Sequence, residues 1–174
     1  MKYSFAAVVA LVLSATSTIA APGKSCEQGR RAIPLFRIYN DASKDHVYTT
    51  NAQETYRSPG YASQSSPGRV WMSQEVDTIP LYRLYNSEGT DHLYTTNSTE
   101  REDSIAHNGY TDEGVAAYIY PSPYCNSIPL YRAYDSKGAD HFYSTDRQEI
   151  VQFADRTGAF MEDIVGYIMQ PANH

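Results

Sequence analysis

The sequence predicts a mainly β domain of pseudo-threefold symmetry with three short helices, β-trefoil-like or small-propeller-like. Three observations predict it. A phrase opening Ile-Pro-Leu and continuing to Asp-His-x-Tyr occurs at 33–50, 79–96 and 128–145, its copies starting 46 and then 49 residues apart. Each copy is followed by Asn or Asp with Glu three positions on: Asn51 and Glu54, Asn97 and Glu100, Asp146 and Glu149. A glycine then follows at Gly60, Gly109 and Gly158, spaced 49 and 49. Self-similarity at such a period marks supersecondary units that bury their apolar faces only by stacking or closing on one another.

The first twenty residues are set apart from that pattern. Lys2, the short apolar stretch 6–13 and the small residues up to Ala20 read as a signal peptide over 1–20, with cleavage after Ala20 or Ala21. The apolar run is too short to span a bilayer. Residues 21–174 are expected to form a single domain of three repeats, about 33–78, 79–127 and 128–174. The expected location is secreted and extracellular, with no membrane insertion.

The middle copy shows the logic of each element. Pro80 opens a run of large residues to Tyr85 that suits a strand, at its first residue or at an edge. Residues 86–90 are turn chemistry, with Gly89 available for a positive φ. A second strand runs from Asp91 to Thr96, completing a hairpin whose turn length is the same in all three copies. Counting a five-residue turn sets Leu84 near His92 and Tyr82 near Tyr94. Arg83 then lies diagonally from Asp91, predicting ion pairs Arg37–Asp45, Arg83–Asp91 and Arg132–Asp140.

The Asn/Asp and Glu pairs read as capping boxes, both side chains satisfying free amides at a helix start. The third helix, through Ile150, Val151, Phe153 and Ala154, has the clearest apolar face; Pro59 cuts the first short. The glycines supply left-handed stops. A last strand is expected at 70–72, 115–120 and 164–169, about nine strands in all.

A net charge of -6 and a pI near 5.3 offer no basic surface for nucleic acid. Cys26 and Cys125, in an oxidising compartment, are expected to pair. Asn97-Ser98-Thr99 is a glycosylation sequon, although Asn97 also has a capping role.

The Pro-Leu-Tyr-Arg-x-Tyr and Asp-His-x-Tyr-Thr-Thr pairs resemble a family of secreted fungal and bacterial repeat domains catalogued as a domain of unknown function. The resemblance implies a threefold, β-rich unit, in some relatives attached to secreted hydrolases, and it implies binding to polysaccharide or cell-wall material. Copy one departs with Phe36 and Trp71, copy three with Ser144 and with Phe160 for the Tyr of Gly-Tyr.

Three kinds of residue carry candidate chemistry. Asp and His could form a catalytic pair, but neighbours in a strand point to opposite faces and no nucleophile recurs beside them, so no catalytic residue is assigned. His46, His92 and His141 would make a zinc set only if all three faced the axis; no metal and no cofactor are assigned. Aromatic rings beside polar groups suit sugars, which makes His46, Tyr48, His92, Tyr94, His141, Tyr143 and Trp71 the expected ligand-binding residues. The expected function is a lectin-like, non-catalytic module for a carbohydrate polymer or cell-surface glycan, with three weak sites acting by avidity. The alternatives are a small hydrolase using an Asp-His-Tyr group of one repeat, and an effector or inhibitor gripping a host or wall protein through the turns at 40–44, 86–90 and 135–139.

Overall fold

The computed structural model describes residues 26–172; the signal-peptide assignment lies outside the described residues. A 3-10 helix, Cys26–Arg31, leads into three similar units. The first holds β1 (Ile33–Asn40), β2 (Asp45–Thr49), α1 (Glu54–Arg57) and β3 (Tyr61–Val70). The second holds β4 (Ile79–Asn86), β5 (Asp91–Thr95), α2 (Ser98–His107) and β6 (Tyr110–Ile119). The third holds β7 (Ile128–Asp135), β8 (Asp140–Ser144), α3 (Arg147–Thr157) and a last strand split into β9 (Phe160–Met161) and β10 (Gly166–Ile168).

Each unit is one antiparallel sheet with its opening strand in the middle: β2-β1-β3, β5-β4-β6, and β8-β7 with β9 and β10. Proline therefore sits in a central strand, not at an edge. It is tolerated because the hairpin pairing begins beyond it, at Phe36, Tyr82 and Tyr131, so the missing amide breaks no ladder bond there. The last strands begin directly after Gly60 and Gly109, well before the apolar residues that announced them. Their outer halves are exposed and therefore polar. Beside each arginine the last strand slips against the first, a bulge that in the third unit breaks the strand in two.

The hairpin register differs by one residue from the expected one. Arg83 faces Tyr94, Leu84 faces Leu93 and Tyr85 faces His92. Four residues, not five, connect the strands, and the positive φ falls on Thr90 (56°) rather than on Gly89, as it does on Lys44 and Ala139. The side chains of Asn40, Asn86 and Asp135 hold these turns by accepting amide hydrogens two residues on.

The units close on each other at three levels. At the centre Leu35, Leu81 and Leu130 pack with Tyr48, Tyr94 and Tyr143 in one buried cluster. The tails of the last strands exchange backbone hydrogen bonds pairwise around the ring, Trp71 with Tyr118, Tyr120 with Tyr167, and Met169 with Arg69. Outside that ring Trp71 and Tyr120 pack at 4.9 Å, near the disulfide Cys26–Cys125, whose Cα atoms lie 5.4 Å apart. As expected, the two cysteines pair. Among the described residues no helix is long and apolar enough to cross a membrane.

Candidate functional site

The repeated phrase is used, almost residue by residue, to join neighbouring repeats. Each Asp receives the backbone amide and the ring Nδ1 of the next repeat's histidine: His92 on Asp45, His141 on Asp91 and His46 on Asp140, with closest ring contacts of 2.9, 2.7 and 2.7 Å. Each histidine also packs its ring against the tyrosine opposite it in its own opening strand, Tyr39, Tyr85 or Tyr134, with centroids 4.3, 4.6 and 4.3 Å apart. Each Tyr hydroxyl of the motif donates to the carbonyl of the preceding repeat's motif tyrosine and accepts that residue's amide hydrogen. The bonds are Tyr48 to Tyr143, Tyr94 to Tyr48 and Tyr143 to Tyr94, between 2.7 and 2.9 Å. Burial pushes these phenols well up, so they remain protonated donors. The final threonines reach forward: Thr50 to Ala116, Thr96 to Val165 and Thr145 to Pro67.

The expected ion pairs Arg37–Asp45, Arg83–Asp91 and Arg132–Asp140 do not form. With the register shifted, each arginine lies beside its tyrosine and turns to the glutamate in the first turn of the preceding repeat's helix. Arg37 meets Glu149 at 2.7 Å, Arg83 meets Glu54 at 2.9 Å, and Arg132 meets Glu100 at 2.7 Å. This diverts the glutamates from the capping box. The Asn/Asp half stands in α2 and α3, where Asn97 accepts from Thr99 and Glu100, and Asp146 from Gln148. Ahead of α1 Asn51 accepts the amide hydrogen of Gln53 in the same way, although Gln53, the residue directly before the helix, supplies no side-chain cap of its own. Burial works against ionisation of Glu100 and Glu149, but their bonds to arginine outweigh it and hold both carboxyls below the ordinary range.

Several expected ligand-binding residues are therefore enclosed. Tyr48, Tyr94, Tyr143 and Trp71 are each 1% exposed and present no face on which a sugar could stack. The histidines are buried too, yet His46 and His141 still line surface clefts. The three residues that do converge are Asp45, Asp91 and Asp140, whose carboxylates approach within 4.8 Å of one another. Their oxygens already accept from histidine, and those of Asp45 and Asp91 also from the hydroxyls of Tyr61 and Tyr110. The cluster is read as the joint of the ring.

Symmetry fails at one seam, twice, on the same Asp–His pair. Tyr61 and Tyr110 stand opposite Asn40 and Asn86 in their sheets, but in the third repeat Phe160 stands opposite Tyr134. The counterpart of those tyrosines is thus Ala159, not Phe160, and Asp140 receives no phenol. Burial pushes Asp140 up despite the His46 hydrogen bonds. The second departure lies beside the arginines. Glu113 bridges Arg83 Nε at 2.6 Å and His92 Nε2 at 3.7 Å, and Glu162 bridges Arg132 Nε at 2.7 Å and His141 Nε2 at 3.9 Å. The residue paired with Arg37 in that position is Gln64, a neutral side chain. Arg37 Nε is buried without a hydrogen-bond partner; Arg132 Nε makes no hydrogen bond either, but has the Glu162 carboxylate 2.7 Å away, which Arg37 Nε lacks.

At this seam a cleft of about 400 Å³ opens between α3 and the first hairpin, lined among others by Arg37, His46, Gln64, Glu149, Phe153 and Arg156. Its floor is the satellite core under α3, where Phe142 and Phe153 stack at 4.6 Å. The sequence held a signal for Gln64 that the repeat phrase hid. Counted four residues from each glycine, the series runs Gln64, Glu113, Glu162.

Fold and site define a ring-closed β domain of three repeats with one cleft set apart from its sisters. The chain belongs to the family described as Domain of unknown function (DUF5648), which matches residues 34–169. No curated protein and no solved structure matches it.

Proposed function

We propose that this chain is a secreted, non-catalytic, lectin-like binding module for wall or matrix glycans. The cleft at the seam between the third and first repeats is its receptor. One observation carries the reading: a cleft within the roughly 300–1,000 Å³ range of small-ligand sites, with an aromatic floor and convergent polar groups, at the seam where two internal braces are missing. The disulfide and the signal peptide expected over residues 1–20 support an extracellular setting, in which the exposed Asn97 would carry a glycan through its amide nitrogen while its oxygen caps α2. A glycan array combined with pulldown on insoluble polysaccharides tests the module, and a protein retained by no carbohydrate ends this reading.

One observation favours a hydrolase as the second reading. Asp140 holds Nδ1 of His46, leaving Nε2 as the free ring nitrogen in a cleft that Ser65 also lines. On this reading His46→Gln alone abolishes hydrolysis of ester or glycan substrates, whereas His92→Gln and His141→Gln leave it in place. The effector reading rests on the turns and is separated by co-purification with a host or wall protein.

A further inference from the structure

We propose, on the basis of the binding-module reading, that this cleft takes the carboxylate of an acidic sugar, a uronate unit of a polymer or oligosaccharide. The carboxylate would enter where Glu113 and Glu162 place their own in the other two repeats. The protein displays the bound state twice within itself. At those seams a carboxylate oxygen sits 2.6 or 2.7 Å from an arginine Nε and 3.7 or 3.9 Å from a histidine Nε2. The first repeat presents the same two groups, Arg37 and His46, with Gln64 in the glutamate's register position.

The consequence is an incomplete charge set. Arg83 and Arg132 are each paired with two carboxylates, Arg37 with Glu149 alone. A guanidinium only 5% exposed, with Nε unpartnered, is poorly satisfied by one ion pair and gains from a second. Gln64 is exposed on its strand, so its side chain is free to swing aside. Arg156 adds a second positive group, its guanidinium 5.7 Å over the Phe153 ring. The corresponding cleft between the second and third repeats is lined by the carboxylates of Glu100, Asp103 and Glu162, which repel an anion. Within the binding-module reading the guanidinium serves the charge, and the polar lining of Gln64, Ser65 and Gln152 serves the hydroxyls of the sugar that carries it.

The test follows the His46 ring signals by NMR in the mature chain while a trigalacturonate, a neutral galactotriose, a glutamate-rich peptide and acetate are titrated in turn. Gln64→Glu, which restores the internal carboxylate of the sister repeats, is the matched variant. The uronate is expected to shift His46 saturably and the neutral sugar not to. Gln64→Glu should weaken uronate binding at least tenfold without lowering the melting temperature. An equal response to the neutral sugar, an unchanged affinity in Gln64→Glu, or a preference for the peptide overturns the uronate assignment. Retention on neutral wall glycans would still leave the module reading standing. If acetate and uronate move His46 in the parent chain alone while no polysaccharide is retained, the carboxylate site stands and the glycan module falls.

Discussion

The seam between the third and first repeats and the two other seams are made from the same parts, yet only two of the three are fully braced. At the sister seams a phenol rests on the aspartate and a glutamate bridges arginine to histidine. At the third seam Ala159 and Gln64 supply neither, so the Asp140–His46 pair stands alone beside a cleft. A motif present in triplicate is here mostly a device for closing a ring, and function is to be sought where one copy leaves the pattern.

The largest expected effect tests that asymmetry through stability. Glu149→Gln removes the single carboxylate on Arg37, whereas Glu54→Gln and Glu100→Gln leave Arg83 and Arg132 a second one. Breaking a buried pair costs about 3–5 kcal/mol, but Glu149 is 37% exposed, and screening brings its loss toward about 2–3 kcal/mol. The other two should lose about half as much in urea unfolding. Equal losses at all three would erase the distinction between seams.

Next come the axial tyrosines, where the seams should behave alike. Tyr94→Phe leaves the amide and carbonyl of Tyr48 without partners in a buried setting, a loss of about 2 kcal/mol. Tyr48→Phe and Tyr143→Phe should match it within about 1 kcal/mol; a much smaller loss at one seam would show that the ring is not closed evenly there.

A pH series sharpens the same contrast. The depressed carboxyls of Glu100 and Glu149 contribute stability that is complete above the ordinary glutamate value, about 4.3, and is lost as pH falls through their lower folded values. Melting temperature should therefore drop steeply below that point, and Glu149→Gln should flatten the slope. The smallest effect belongs to the turns. Ala139 holds a φ of 52°, so Ala139→Gly should raise stability by no more than about 1 kcal/mol. Thr90→Gly should do the same, since the turns stand outside the seam difference.

Much of this was legible in local chemistry. The hairpins, the helix starts at Asn97 and Asp146, and the left-handed Gly60, Gly109 and Gly158 follow from short-range rules that the chain obeys, and the cysteine pair from there being two cysteines in an oxidising setting. The polar outer half of β3 was missed because an exposed strand carries no apolar signal. The register was missed because Thr90, not the glycine beside it, takes the left-handed conformation, and one residue of slip redirects every side chain.

That three like units must pack against one another is written in the repeat, because none can bury its aromatic face alone. With whom each polar group pairs is set by the closed arrangement of the three. Arg37 finds Glu149, 112 residues away, and His46 finds Asp140, 94 residues away. The reason is closure: a ring brings the last repeat against the first, and contacts made across that joint leave no trace in local spacing.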